Sequence, residues 1–570
     1  MRNLIGSLTG LVKKADPLMD PRATSTWMKE VRQQDVTRQL QNVQEVLKRL
    51  GSIERLNLAN LHALLVMDDE SQYAFDMLCQ QYVQNPHMGK QVEEKLWQEI
   101  VTHIKAMLHA YHRFVRLEDI SEGEEAGFQK VSALMLARGL RYIGVLVKWH
   151  LFRYETPAAN LWSAANQFYR LSEVTHVDVD PVVLYGGQQG QHTSCADEYL
   201  HIQMLCTLNS GNFSIRQIEW ADRWLGLWTH NIEIERKYRA ALHQFCADLS
   251  QTQPAVKIHE AVQGEMLRFW GVNQLIIEIT QIIQHLENGE SPQKIGLGDD
   301  ARMPGCLDFI RQLEIMWSRE PSRQIQRSTR EKVSQTVLVV RGLDSIFSAV
   351  RGDDERFMAK ASSQAVPDND EALDMRLYGY VTERTRQKIA AAQQRQQAWG
   401  VPKPKAPEGE PWVLENVSEG GFGANLPSAK NDWVRLFALL AVRNDDQSGW
   451  KIAVIRRLIR QNPQELYIGA QILTPAAVSV SLMPKLEDMD TPLSTAFAGQ
   501  ASNAMHALSA LYIPYQSAER RANTILSRSS DYQLGKVYQA TARDKRFMLR
   551  MGEVLEKGAD WIWCVVNIVK

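Results

Sequence analysis

Two different spacings of hydrophobic residues divide this chain. From about residue 25 to 315, apolar residues recur every three or four positions, which is the spacing of one face of an α-helix. Val92, Leu96, Ile100 and Ile104 show this pattern within one segment. No internal repeat is evident. The pattern therefore predicts a large, irregular, all-α N-terminal domain over residues 1–315.

After Pro321 the hydrophobic runs become short and rich in β-branched residues, and turn-forming residues separate them. Several strands at this spacing predict a small antiparallel β-barrel, formed by residues 316–343 and 412–480. The polar residues 344–411 interrupt it and predict a helical insertion followed by a proline-rich linker. Residues 481–570 contain further strand candidates, which either complete the same sheet or form a second barrel.

Composition narrows the class of protein. A chain of 570 residues is too long for one core, so about two to four domains are expected. The 65 basic and 66 acidic residues leave a formal charge of −1, so no overall field favours a nucleic acid polymer or an anionic membrane. The six cysteines lack paired spacing, which indicates a reducing compartment.

The longest apolar segment, residues 131–152, is interrupted by Arg138, Arg141 and Lys148. We interpret it as a buried helix and expect no membrane span. The first residues contain no convincing signal peptide. We therefore expect a cytoplasmic protein.

The first candidate for binding chemistry is a group of arginines just before the first predicted strand. Arg323 and Arg327 are four positions apart, and Arg330 follows them closely. A guanidinium group can bind a phosphate through two parallel hydrogen bonds and can stack on a base. Each hydrogen bond to a charged group contributes about 1.5–3 kcal/mol, so two or three such contacts can dominate the affinity for a small anion.

The second candidate follows the proline-rich linker. Asn416 and Ser418 offer short hydrogen-bonding side chains, and Gly420 and Gly421 come directly after them. Such residues form Asx or Ser turns that shape the entry to a strand. They can equally form one wall of a ligand site.

Taken together, Arg323-x-x-x-Arg327 and Asn416-x-Ser418-x-x-Gly421 resemble the two signature motifs of PilZ domains, the bacterial receptors for cyclic di-GMP. The resemblance implies that the arginines bind the phosphates and stack on guanine. It also implies that Asn416 and Ser418 bind base edges and the sugar–phosphate, and that Gly421 lets the backbone approach the dinucleotide.

The long separation of the two motifs leaves alternatives open. Arg327 and Asn416 are 89 positions apart, so the helical insertion must loop out of the barrel if both motifs form one site. A second arginine set, Arg376, Arg384 and Arg386, lies nearer to Asn416 but in a segment that looks helical. We rank it below the first set.

The sequence gives little support for a metal site or a catalytic site. His192, Cys195, His201 and Cys206 match no standard zinc spacing, so no metal is expected. The chain has no phosphate-binding loop and no nucleophile or metalloprotease motif, so we expect no catalytic residues and no enzyme. Trp220, Trp224 and Trp228 are spaced four apart, which favours core packing.

The resulting hypothesis is a cyclic di-GMP-binding regulatory protein. Its PilZ-like barrel would bind the ligand, and its helical domain would relay that event to an unidentified protein partner. The alternative hypothesis is a ligand-free scaffold with a degenerate PilZ-like barrel. An enzyme whose residues converge only in the folded chain is a third possibility.

Overall fold

The chain folds into two compact units, Met1–Ile325 and Gln326–Lys570. The computed structural model describes residues 16–85, 88–116, 124–186, 192–208, 210–302, 305–319, 329–365, 382–387, 409–428, 431, 433–444, 449–462, 464–484, 507–516, 521–543, 545–558 and 560–569. The structural statements below concern these residues.

The first unit is largely helical. Its helices are α1 (Pro21–Val31), α2 (Val36–Gly51), α3 (Leu58–Gln84), α4 (Lys90–Arg113), α5 (Glu125–Phe152), α6 (Ala159–Val174), α7 (Cys195–Thr207), α8 (Ile215–Trp228), α9 (Asn273–Glu287) and α10 (Cys306–Trp317). Asn57 and Ser214 cap α3 and α8 through reciprocal hydrogen bonds with Asn60 and Gln217. The tryptophans of α8 are buried in the core, as their spacing predicts.

Arg138, a charged residue in the middle of α5, is buried and has hydrogen-bond partners. Arg138 donates to the carbonyl oxygens of Leu65 and Leu184, each at 2.8 Å, and lies 3.5 Å from the carboxylate of Asp68. A cation at this depth requires such partners. Among the helices that the structure describes, we find none with the length and apolarity needed to cross a bilayer.

A small antiparallel sheet lies among the helices of the first unit, which the hydrophobic spacing does not predict. It contains β1 (Phe245–Asp248), β2 (Val256–Lys257) and β3 (Leu267–Trp270) in the order β2-β1-β3. Arg268 binds both carboxylate oxygens of Glu173 on α6, each at 2.7 Å. Strands of two to four residues are too short to show an alternation of their own.

The second unit contains two closed antiparallel barrels. Its elements are β4 (Glu331–Arg341), α11 (Leu343–Ala365), β5 (Glu410–Ser418), β6 (Gly421–Pro427), β7 (Leu439–Arg443), β8 (Lys451–Asn462), β9 (Glu465–Thr474), β10 (Val478–Pro484), β11 (Leu508–Gln516), β12 (Arg521–Arg528), β13 (Val537–Ala542), β14 (Lys545–Lys557) and β15 (Trp561–Val569).

The strand orders show that the two barrels share one topology. The first barrel closes in the order β4-β5-β6-β9-β8-β7, and the second in the order β10-β11-β12-β15-β14-β13. The C-terminal strands therefore form a second barrel and do not complete the first sheet. The predicted architecture, a helical N-terminal domain followed by an antiparallel barrel and a β-rich C-terminal region, is confirmed.

The two barrels share a hydrophobic layer that includes α11. Ile346 on α11 packs there with Val454 from the outer face of the first barrel and with Leu511 and Trp563 from the second. The interior of the second barrel is a separate cluster around Leu549 and Cys564. Strands β11, β12 and β15 contribute to the shared layer, so the outer face of these strands is covered.

Candidate functional site

The Asn416–Gly421 motif forms a tight hairpin on the first barrel. Strand β5 ends at Ser418, and β6 begins at Gly421. The Ser418 hydroxyl donates to the Gly421 carbonyl oxygen at 3.2 Å. The Gly420 carbonyl accepts a hydrogen bond from the backbone N–H of Ile472 on β9 at 3.0 Å. The motif therefore has a fixed backbone at the rim of the barrel.

The start of β4 pairs with the end of β5, next to this hairpin. Glu331 lies opposite Val417, and Lys332 lies opposite Asn416. Arg330 is exposed and precedes β4 directly, so it lies at the same rim as the hairpin. The other two predicted ligands of this segment, Arg323 and Arg327, lie outside the described residues.

A continuous row of residues crosses four neighbouring strands beside the hairpin. Asn416 on β5 lies opposite Gly423 on β6. Gly423 lies opposite Gly469 on β9, and Gly469 lies opposite Arg457 on β8. Their sequence neighbours Phe422, Ala424, Ile468 and Ala470 are buried. Since side chains alternate along a strand, the row belongs to the outer surface of the barrel.

The glycines in this row make room for a tyrosine. A Cβ atom on Gly423 would lie 2.4 Å from the Tyr467 hydroxyl oxygen and 2.8 Å from Nδ2 of Asn416. Without it, Asn416 Nδ2 donates to the Tyr467 hydroxyl at 3.2 Å. A Cβ on Gly469 would lie 3.2 Å from Cβ of Arg457. We call this surface, formed by Asn416, Gly423, Tyr467, Gly469 and Arg457, the glycine groove.

Arg457 supplies a positive charge at one side of the glycine groove. It follows a bulge in β8, where the register shifts between Ile455 and Arg457. Its Nε atom is buried and has no hydrogen-bond partner among the described residues. Within the described part of the chain, no carboxylate pairs with Arg457. A buried donor that lacks a partner is costly.

Gly421 has a structural reason to lack a side chain. A Cβ at this position would lie 2.3 Å from the carbonyl oxygen of Ala470 on β9. The residue therefore allows the close approach of a neighbouring strand. By contrast, a Cβ on Gly420 would meet nothing within 4 Å.

The motif search finds Asn416 and Ser418 but misses Tyr467, Gly469 and Arg457. A weaker signal for them is present in the sequence. Glycines at alternate positions 421 and 423, and an aromatic residue two positions before Gly469, place small and flat groups on one face of paired strands. Only the register shows that these strands are neighbours.

Comparisons with known proteins give two matching family models. A family model described as the middle PilZ domain of cyclic-di-GMP receptor FimW matches residues 343–478. The chain is a PilZ domain protein. A second family model, described as the N-terminal domain of the same receptor, matches residues 22–257. No curated protein and no solved structure gives a significant match.

The matched segment contains the hairpin and the glycine groove of the PilZ barrel. The prediction of a PilZ domain protein with cyclic di-GMP as its ligand is confirmed at the level of the family. The segment begins at residue 343, after β4, so it excludes Arg323, Arg327 and Arg330. It includes the competing set, of which Arg384 and Arg386 are exposed and Arg376 lies outside the described residues.

The described residues contain no cluster of His, Cys, Asp and Glu side chains with the arrangement of a metal site. Cys195 is buried, and His201 binds the carboxylate of Asp222 at 2.9 Å. These two residues of the rejected zinc pattern therefore have ordinary roles in the core of the helical unit.

Proposed function

We propose that this protein is a regulator that binds cyclic di-GMP in the glycine groove and signals that event to a protein partner. The observation that carries this proposal is the row Asn416, Gly423, Gly469 and Arg457 on the outer face of the PilZ barrel. It combines a hydrogen-bonding amide, a flat region and a guanidinium with no carboxylate partner among the described residues. These features suit a dinucleotide with flat bases and two anionic phosphates.

Each residue of the glycine groove would bind a different part of the ligand. The Tyr467 hydroxyl holds Nδ2 of Asn416, which leaves the amide oxygen of Asn416 to accept hydrogen bonds from a base edge. A purine can stack on an exposed aromatic face or on a guanidinium plane. The Arg457 guanidinium, which has no carboxylate partner among the described residues, would bind a phosphate. Ser418 lies at the hairpin, where its hydroxyl can bind the sugar–phosphate.

Arg323 and Arg327 would bind the phosphates and stack on guanine, as the resemblance to PilZ domains implies. Arg330 follows them in the sequence and precedes β4 at the rim that carries the hairpin. The boundary between the two units falls between Arg323 and Arg327. This arginine segment is thus suited to relay ligand binding to the helical unit.

Substitution of the arginines tests the proposal. The double variant Arg323→Ala/Arg327→Ala should lose cyclic di-GMP binding in isothermal titration calorimetry while it keeps the melting temperature of the free protein. The matched control is Arg384→Ala/Arg386→Ala, which removes the same charge from the competing set and should bind normally. Saturation of the wild type at one hundred times Kd should stabilise it by about 2.7 kcal/mol.

Two results would contradict this assignment. Normal binding by the first variant together with lost binding by the control would transfer the role to Arg384 and Arg386. A wild-type chain that gives neither heat nor thermal stabilisation with cyclic di-GMP would favour the ligand-free scaffold.

A further inference from the structure

The bulge in β8 places two consecutive arginines on the outer surface of the PilZ barrel. Consecutive residues of a regular strand point to opposite faces, but a bulge adds one residue and removes this alternation. Ile455 before the bulge and Leu458 after it are buried. Arg457 faces Gly469 in the glycine groove, whereas Arg456 reaches the second barrel.

Arg456 connects the strand beside the hairpin to the second barrel. Its Nε donates to Oε1 of Gln471 at 2.9 Å, and Gln471 lies opposite Gly421 of the motif. Its two Nη atoms bind the two carboxylate oxygens of Glu556 on β14, with Nη2 and Oε2 2.7 Å apart. A bidentate pair fixes geometry as well as distance. Glu556 also follows an irregularity in the pairing of β14 with β15.

A second contact supports this connection. The guanidinium carbon of Arg456 lies 5.8 Å from the ring centroid of Phe437. The carbonyl oxygen of Phe437 accepts a hydrogen bond from Nε1 of Trp561 on β15 at 2.8 Å. Arg456 therefore meets the second barrel through Glu556 and, by way of Phe437, through Trp561.

We propose that Arg456 is a positioning residue that couples occupation of the glycine groove to the second barrel through Glu556. This inference rests on the proposed function. Arg457, the neighbour of Arg456 in the bulge, is the group that an anionic ligand would engage. The Arg456–Glu556 pair fixes the bulge before the ligand arrives, and such preorganisation increases affinity. Because coupling is reciprocal, the ligand strengthens the attachment of β14 by the same factor.

The test uses the full chain, cyclic di-GMP and the isosteric variant Glu556→Gln. Calorimetry should show a Kd at least about fivefold higher than that of the wild type, because fivefold is the lower end of typical coupling between two sites. Hydrogen exchange should show that the ligand protects amides of β14 in the wild type but not in the variant. A merely structural role would leave this ligand-dependent protection unchanged.

Asp344→Asn is the matched control. Asp344 on α11 binds Arg528 of the second barrel, so this variant also removes one ion pair to that barrel, but away from β8. It should keep the wild-type Kd and the protection of β14. Arg456→Lys retains the charge, loses the planar fork, and should behave like Glu556→Gln.

The outcomes separate the two proposals. A wild-type chain that does not bind cyclic di-GMP overturns the proposed function. A wild-type chain that binds, with Glu556→Gln and Arg456→Lys showing unchanged Kd and unchanged protection of β14, overturns the coupling alone.

Discussion

His103 on α4 is a polar residue buried in the helical unit. Neither of its ring nitrogens has a hydrogen-bond partner among the described residues. Its ring centroid lies 5.3 Å from that of Phe75. Burial lowers the pKa of His103 from 6.5 to about 3, because the charged imidazolium is disfavoured without water. The folded chain therefore keeps this residue neutral at pH values where the unfolded chain protonates it.

We expect acid to destabilise the helical unit through His103. Below the unfolded pKa of 6.5 the unfolded state binds more protons, so the free energy of unfolding falls as pH falls towards 3. The loss is about 1.4 kcal/mol per pH unit, or roughly 2 kcal/mol from pH 6.5 to 5. His103→Leu should remove this part of the slope in urea denaturation. His109 is an exposed residue of the same helix, so the control variant His109→Leu should retain the slope of the wild type. Equal slopes in both variants would contradict the assignment to His103.

Residues of the site differ in how far the sequence alone reveals them. Asn416 and Ser418 are two positions apart, so a local motif is enough to select them. Arg457 becomes a candidate only when the pairing of β8 with β9 places it opposite Gly469. An arginine within a hydrophobic strand carries no such signal by itself, because long-range pairing decides which surface it shares.

At the scale of elements, the length of a strand and the alternation of its side chains decide whether the sequence alone predicts it. Strands β4, β8 and β9 are 10 to 12 residues long, and their β-branched runs stand out clearly. The sheet of β1, β2 and β3 escaped prediction, because its strands have only two to four residues. The sequence of residues 416–421 shows a polar, glycine-rich segment. The glycine groove beside it depends on the pairing of β6 with β9.

Gly423 gives an element-level prediction for that hairpin. Gly423→Ala places a Cβ against the Tyr467 hydroxyl and the Asn416 amide, so one of them must move. Such overpacking costs about 1–3 kcal/mol, and we expect cyclic di-GMP affinity to fall about tenfold or more, since each 1.4 kcal/mol is tenfold. Calorimetry measures the loss of affinity. The control is Gly449→Ala, where a Cβ meets nothing within 4 Å. An unchanged Kd in Gly423→Ala would show that the glycine groove is not part of the binding site.

At the scale of the whole molecule, the shared topology of the two barrels could not be read from the sequence. Side-chain alternation predicts strands, but it does not give their spatial order. Strands β11, β12 and β15 hold the places in the second barrel that β5, β6 and β9 hold in the first. The corresponding faces differ in chemistry: one carries the glycine groove, and the other is apolar and buried in the layer around α11.

Asp354 on α11 gives a prediction at this scale, because it joins the helix to the second barrel. This buried carboxylate accepts from the backbone N–H and the hydroxyl of Ser479, each at 2.8 Å, and from Nε of Arg543 at 2.7 Å. Asp354→Ala removes an acceptor from these donors and should lower the free energy of unfolding by about 2–4 kcal/mol.

Urea denaturation measures this change, and Glu355→Ala is the control. Glu355 is exposed and pairs only one turn away with Arg351, an interaction of about 0.3–0.5 kcal/mol. Equal stability of the two variants would show that Asp354 does not stabilise the attachment of α11 to the second barrel.

The glycines at positions 423 and 469 have a consequence for how this chain changes over generations. Glycine inside a strand costs about 0.5–1 kcal/mol relative to alanine, so drift without selection for binding would tend to replace it. A descendant that no longer used the ligand would gain stability from bulkier residues at both positions once Tyr467, Asn416 and Arg457 were also exchanged. Joint replacement of both glycines in natural variants would thus mark a lineage in which the barrel has lost ligand binding and keeps only a structural role.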